Sequence, residues 1–240
     1  SPVNSIVGSF TINVSGTSPT AAASYAAGVR WFELRRTGDS FSVFDQGTQS
    51  GPTTAPSPSP TPTPGQRLNN WMSSISQDHE GNLALGYSQS GPEQNADIRI
   101  AGRTINDGTA GAMNEGDALF HDATGSQTGT SRWGDYSMMS VDPDDDCTFW
   151  FTQEYYNSSS SVGWATRVMS FKFPSCSAAP KGTISGTITS CSSGLPIDDA
   201  SVVATGGFQR LTIANGTYSM VVAPGDYTVN ASKAPGFVAS

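Results

Sequence analysis

No apolar run in this 240-residue sequence approaches the roughly 20 residues that a membrane-crossing helix needs, so membrane insertion is not expected. Charge is scarce as well. Charged residues make up 13% of the chain, and 12 Lys and Arg against 20 Asp and Glu leave a formal net charge of −8. That sign repels nucleic-acid phosphates and anionic lipid surfaces, so neither is expected as a partner. Histidine is confined to His79 and His121, and neither has a partner at ligand spacing, which argues against zinc. Three cysteines are few for a disulfide scaffold. The sequence also lacks a Gly-X-Ser-X-Gly elbow, a His-Glu-X-X-His helix, a Walker loop and a dinucleotide fingerprint. The commonest nucleophilic and nucleotide chemistries therefore have no motif here.

What is present is a polar, Gly-, Ser-, Thr- and Pro-rich chain punctuated by short aromatic runs, the composition of an all-β extracellular protein. Its densest stretch is Arg132 to Tyr156, RWGDYSMMSVDPDDDCTFWFTQEYY. Ser137 to Val141 and Cys147 to Tyr156 read as two strands, and Asp142 to Asp146 as the acidic turn between them. Upstream, Ser5 to Ser15 places Ile6, Gly8, Phe10, Ile12 and Val14 on one face with polar residues between, a period-two strand. Strands follow at Gly28 to Arg36 and Phe41 to Phe44. Gly51 to Gly65 is a Pro/Ser/Thr-rich insert, read as an extended spacer or an O-glycosylated patch at Thr53, Thr54, Ser57, Ser59, Thr61 and Thr63. Asn13, Asn157, Asn215 and Asn230 head Asn-X-Ser/Thr sequons, which agree with secretion and glycosylation or are ordinary surface turns. Ser1 is read as the start of a processed or excised chain.

Trp71 to Ser88 repeats the theme of a strand, an acidic turn at Asp78 to Gly81 and a strand over Asn82 to Tyr87. Both hairpins precede another candidate strand, Ala96 to Arg103 and Trp164 to Phe173, while Thr104 to Thr130 reads as a long connecting loop. A repeated sheet of this kind is the signature of propeller blades. WMSSISQDHEGNLALGYS, RWGDYSMMSVDPDDDCTFWFTQEYY and TRVMSFKFPSC resemble blocks of secreted bacterial and archaeal β-propeller proteins that are loosely sialidase-like or kelch-like. The resemblance implies an incomplete propeller-like domain over residues 1–176, because closed propellers have about four to eight blades. After Pro180 the style changes. Residues 181–240 resemble the carboxypeptidase regulatory-like family through Gly186, GLPIDDASV, Gly216-Thr217-Tyr218 and Pro224-Gly225-Asp226-Tyr227. That implies a small transthyretin-like or immunoglobulin-like sandwich, with at least one more strand expected after Gly236 and an open edge if it is lacking.

Candidate chemistry is sparse. Asp142, Asp144 and Asp146 alternate and could converge on calcium, or they form a solvated hairpin tip. Asp78, Glu80, Glu115, Asp117, Asp135 and Glu154 supply carboxylates for a glycosidase pair, given the right separation. Arg30, Arg99, Arg103, Arg132 and Arg167 supply arginines for a sialidase-like site, or serve on strands and rims. Trp31, Trp71, Trp133, Trp150 and Trp164 are stacking platforms for glycans where exposed and core residues where buried. If Cys147 to Tyr156 pairs antiparallel with Gly163 to Phe173, Cys147 falls near Cys176. That disulfide is expected, with Cys176–Cys191 as its competitor.

The functional expectation is a secreted, glycosylated, nonenzymatic structural or adhesive protein. Its rivals are a fragment of a secreted hydrolase and a carbohydrate-binding module. Head-to-tail self-association is expected, with Ile6, Phe10, Ile12 and Val14 on a donor strand added to a neighbour's incomplete β domain, or with the same strand folded into its own sheet.

Overall fold

In a computed structural model of the chain, which describes residues 4–15, 26–51, 68–92, 94–108, 110–233 and 237–238, these residues form β-strands and no helix. No helix is therefore long and apolar enough to cross a membrane among the described residues. The chain divides between Ala178 and Ala179 into two compact units.

The first unit contains three antiparallel meanders. β1 (Ser5–Asn13), β2 (Ala27–Thr37) and β3 (Ser40–Ser50) form one sheet. β4 (Asn69–Gln77), β5 (Leu83–Gly91), β6 (Gln94–Arg103) and β7 (Asp117–His121) form the second. β8 (Met138–Val141), β9 (Phe149–Tyr155) and β10 (Ala165–Phe171) form the third. The supposed connecting loop Thr104 to Thr130 thus contains a strand. Its sequence, DALFH, is largely exposed and lacks an apolar alternation, and only pairing with β6 makes it visible.

The second sheet is the middle layer of the stack. On β5, Leu83, Leu85 and Tyr87 face Val29 and Trp31 of the first sheet, while Ala84 lies with Phe149, Phe151, Met169 and Phe173 on the opposite side. The small residues of β5 and β6 admit large rings from the third sheet and from the segment that follows β10. A Cβ on Gly86 would stand 2.5 Å from the Phe151 ring, and one on Gly102 would stand 2.6 Å from Phe173. A buried ion pair between Arg103 and Asp45 ties the first two sheets together, with the guanidinium 5.7 Å from the Trp31 ring.

Strand directions separate the meanders. β4 and β8 run parallel, since Ser74 Oγ accepts from Met139 N (2.8 Å) and His79 N donates to Asp146 O (3.1 Å) further along both. β1 runs antiparallel to β4, because Ser5 bonds Gln77 whereas Ser73 Oγ donates to Ser9 Oγ at 3.0 Å. The second and third meanders therefore repeat one another and the first does not. All these sheets remain open, and none closes into a barrel.

Of the two readings of Ser5 to Val14, the strand folded into its own sheet is the arrangement within the single chain. Residues Ser5 to Asn13 pair with β2 along their whole length, from Ser5 opposite Arg35 to Asn13 opposite Ala27. Ile6, Phe10 and Ile12 then lie on the face of β1 opposite to Val7, the outer face of the sheet, and Phe10 also lines a small cavity with Met72 and Ser73 of β4. The cause is Val7, whose side packs towards the Trp31 and Leu85 core, and an alternating strand can bury only one face at a time.

The second unit is a small sandwich. β11 (Gly182–Thr187) pairs with β14 (Thr217–Val222). Opposite lies a sheet ordered β13-β12-β15-β16, from β12 (Ser201–Ala204), β13 (Phe208–Leu211), β15 (Val229–Lys233) and β16 (Phe237–Val238). Val202 and Ala204 meet Met220 and Val222 in its core. Gly216 makes the turn into β14 at φ 74°, and a Cβ there would meet Ile188 O at 2.5 Å, so only glycine fits. The strand sought after Gly236 exists as the two-residue β16 on the edge of β15.

Candidate functional site

Most of the sequence-derived candidates prove to be structural. The β4–β5 turn is held by Asp78, whose carboxylate accepts from Asn82 N (2.9 Å), Asn82 Nδ2 (2.8 Å) and Glu80 N (3.0 Å). Burial raises the Asp78 pKa, and the hydrogen bonds from Asn82 oppose the rise. The acidic β8–β9 turn works similarly. Asp145 accepts from Thr148 N, Thr148 Oγ1 and Cys147 N at 2.7–2.9 Å, and the Thr148 bonds above all draw its pKa down to about 2.

The calcium set Asp142, Asp144 and Asp146 is not assembled. Among the described residues, these carboxylates do not gather within ligand distance of one another. Asp142 is instead used by the turn, accepting from Asp144 N at 2.8 Å and from Trp150 Nε1 at 3.0 Å. The grouping that does fall within that range is His79 with Cys147 and Cys176, but the two cysteines are joined in a disulfide across the end of the third sheet. His79 Nε2 lies 2.6 Å from Ser177 O. Cys191 is free and exposed. One disulfide fits an oxidising, extracellular compartment.

The arginines do not converge. Arg99 pairs with Asp117, Arg103 with Asp45 and Arg132 with Asp135, and Arg30 bonds Thr48 and Gln46 on the first sheet. Arg167 is near enough to His121 to help burial lower that imidazole's pKa. All four sequon asparagines are exposed, and Asn13 and Asn215 each accept hydrogen bonds from the Ser or Thr two residues on. The proposed O-glycosylation sites, Thr53 to Thr63, lie outside the described residues.

The tryptophans sort into two kinds. Trp31 and Trp133 are buried and Trp71 is half-buried, whereas Trp150 and Trp164 are exposed. Trp133 packs between Trp71 and Tyr156, at 5.2 and 5.3 Å between ring centroids. Its Nε1 donates to Ser88 Oγ at 3.2 Å, so the indole is fixed at both ends. It forms the floor of a cavity of about 400 Å3 whose lining includes Tyr136, Trp164, Arg132, Asp135 and Glu154. Gly134 creates this arrangement. At φ 59° it reverses the chain, with Trp133 buried before it and Tyr136 88% exposed after it. Glu154 Oε2 accepts from Gly134 N at 2.9 Å and anchors the turn on β9.

Comparisons with known protein families, curated proteins and solved structures find no match. Of the six candidate carboxylates, the cavity brings together Asp135 and Glu154. Asp78 and Glu80 line a second, larger cavity of about 560 Å3 at the far end of β4, beside the Glu33–Arg35 pair. No residue spacing in the sequence identifies the Trp133 cavity, because its walls come from the loop before β8, from β9 and from the loop before β10.

Proposed function

We propose that this chain is a secreted, glycosylated structural or adhesive protein that acts without catalysis, as a self-associating subunit of an extracellular filament. The observation that carries the reading is the outer face of the first sheet. Ile6, Phe10, Phe41 and Val43 are each about half exposed there. Phe32 lies across Gly8 between Ile6 and Phe10, where a glycine Cβ would meet its ring at 2.4 Å, so the apolar strip is continuous. Soluble monomers rarely leave such strips open to water. Arg30 and Arg36 flank it on the same face.

The outer face of the third sheet supplies a counterpart. Met138, Trp150 and Val168 are exposed there, beside Asp142. A basic apolar face and an acidic apolar face on one chain favour head-to-tail contact between copies, and a contact that does not close gives a filament. Strand addition by β1 is the second route to the same assembly, since β1 is an edge strand and the β11–β14 sheet has only two strands.

Sedimentation velocity of the native chain over a concentration series tests the reading. Mass should rise with concentration, and Phe10→Glu with Val43→Glu should hold the protein monomeric with unchanged circular dichroism. A wild-type chain that stays monomeric throughout would refute it. A disulfide introduced as Ser5→Cys with Arg35→Cys, which face one another across β1 and β2, locks the strand at home. Polymerisation lost on oxidation assigns the contact to strand addition, and polymerisation retained assigns it to the faces.

A further inference from the structure

We infer that the Trp133 cavity is a carbohydrate-binding groove for a neutral, hydroxyl-rich sugar chain. This goes beyond self-association and does not depend on it. Three features of the site converge on that ligand class. The first is an unmet hydrogen-bond acceptor. Glu154 lines the groove and uses Oε2 on Gly134 N, while its Oε1 has no protein partner and is closed to solvent, so a sugar hydroxyl would reach it only once the groove wall shifts.

The second feature is aromatic. Trp164 is 56% exposed, and the Tyr136 ring is nearly free of the protein, while both line one groove. Exposed rings of this size offer flat apolar platforms for the C–H faces of a pyranose ring. Below them, Trp133 makes the floor, and the buried Tyr156 ring behind it, held by the Gln127 Nε2 to Tyr156 Oη bond (3.0 Å), fixes that floor before any ligand arrives. A preformed floor lowers the ordering cost of binding.

The third feature is charge. A cationic ligand would lie beside the Arg132 guanidinium, and an anionic one beside Asp135 and Glu154. Arg132 and Asp135 are bonded to each other and present donors and acceptors together at the rim. A neutral polyol can use both kinds of group and is opposed by neither. The volume, about 400 Å3, admits one or two sugar rings, and the open side lets a longer chain continue past them.

The test titrates the full chain with neutral β-1,4-linked hexaoses of glucose, xylose, mannose and N-acetylglucosamine, followed by calorimetry and tryptophan fluorescence. At least one should bind saturably. Trp164→Ala and Tyr136→Ala should each weaken that binding by about tenfold or more, as loss of an aromatic anchor does. Trp164→Phe should recover part of it, and Leu195→Ala, which alters an exposed side chain of the second unit, should leave it intact. Circular dichroism and thermal melting confirm that each variant is folded. The proposal is overturned if no hexaose binds at millimolar concentration, or if binding survives Trp164→Ala with Tyr136→Ala. It is equally overturned if tetramethylammonium, the cationic probe for an aromatic cage, binds in place of every sugar.

Discussion

Replacing Gly86 by alanine adds one methyl group, and the structure says that there is no room for it. Gly86 sits on β5 opposite Ser74 of β4 and Ile100 of β6, with its open side towards the third sheet. A Cβ there would stand 2.5 Å from both Cε1 and Cζ of Phe151, against an ordinary carbon contact of about 3.5–4.0 Å. The ring has to retreat by about 1 Å, and it is itself fully buried among Met139, Phe149 and Met169. Overpacking of this kind costs about 1–3 kcal/mol. Removing a glycine from the unfolded chain returns about 0.4–1 kcal/mol, so the net expectation is a loss of about 0–2.6 kcal/mol, centred near about 1.3 kcal/mol. For a unit of this size that lowers the melting temperature by up to about 10 °C, with about 3–5 °C at the centre of the range. Urea denaturation and calorimetry measure it, and a double-mutant cycle with Phe151→Leu locates it. In the Leu background the alanine should cost clearly less, because the colliding ring is gone. A stabilising Gly86→Ala, or effects that simply add in the cycle, would show that Phe151 does not occupy the Gly86 hollow.

Other expectations follow from the turns and the crosslink. Exchanging Cys147 and Cys176 for serine opens a crosslink of sequence separation 29 and should cost about 3–4 kcal/mol by the chain-entropy relation, read from denaturation midpoints after peptide mapping confirms the pair. Asp145, with its pKa drawn below the ordinary 3.8 to about 2, stabilises the fold fully above pH 4 and loses that contribution as the pH falls through 2. Asp145→Asn should therefore be less stable near neutrality and show a flatter acid limb in thermal melts between those values. Gly134→Ala places a side chain at φ 59°, which costs about 1–2 kcal/mol, and should weaken sugar binding even where circular dichroism is unchanged.

Much of the strand order was legible because its signal is local. Alternation in SIVGSFTIN, the Gly38 reversal and the two acidic turns each depend on neighbours a few residues apart. The Cys147–Cys176 pairing followed from one hairpin register, which the structure bears out, with Ala165 opposite Tyr155 and Phe171 opposite Phe149. The layering of the sheets was not legible. β5 is buried on both faces, yet LALGYS reads as a mixed strand, because the residues on its second face are small to suit rings more than sixty positions away. Nor could the acidic turn be separated from a calcium site by spacing, since the choice rests on which backbone amides and indole the carboxylates meet. The groove was out of reach for a similar reason. Trp164 and Glu154 carry no pattern, and the Gly134 turn gains its meaning only from the bond that Glu154 makes to it.

The same glycine logic bears on how copies would meet. Inside the stack, hollows at Gly86 and Gly102 receive rings from another sheet, so those faces are keyed to one partner. On the outer face of the first sheet the hollow at Gly8 is already filled by Phe32 of the adjacent strand. A neighbour therefore meets a flat apolar strip with no socket, which suits a contact made and released without rearranging either sheet. Moving β1 into another chain would lift Gly8 off Phe32, break the β1–β2 ladder and expose the Val7 side of the core. The acceptor edge would have to offset all three losses. Contact between faces leaves them intact, and for that reason the chain with β1 locked to β2 is expected to keep polymerising.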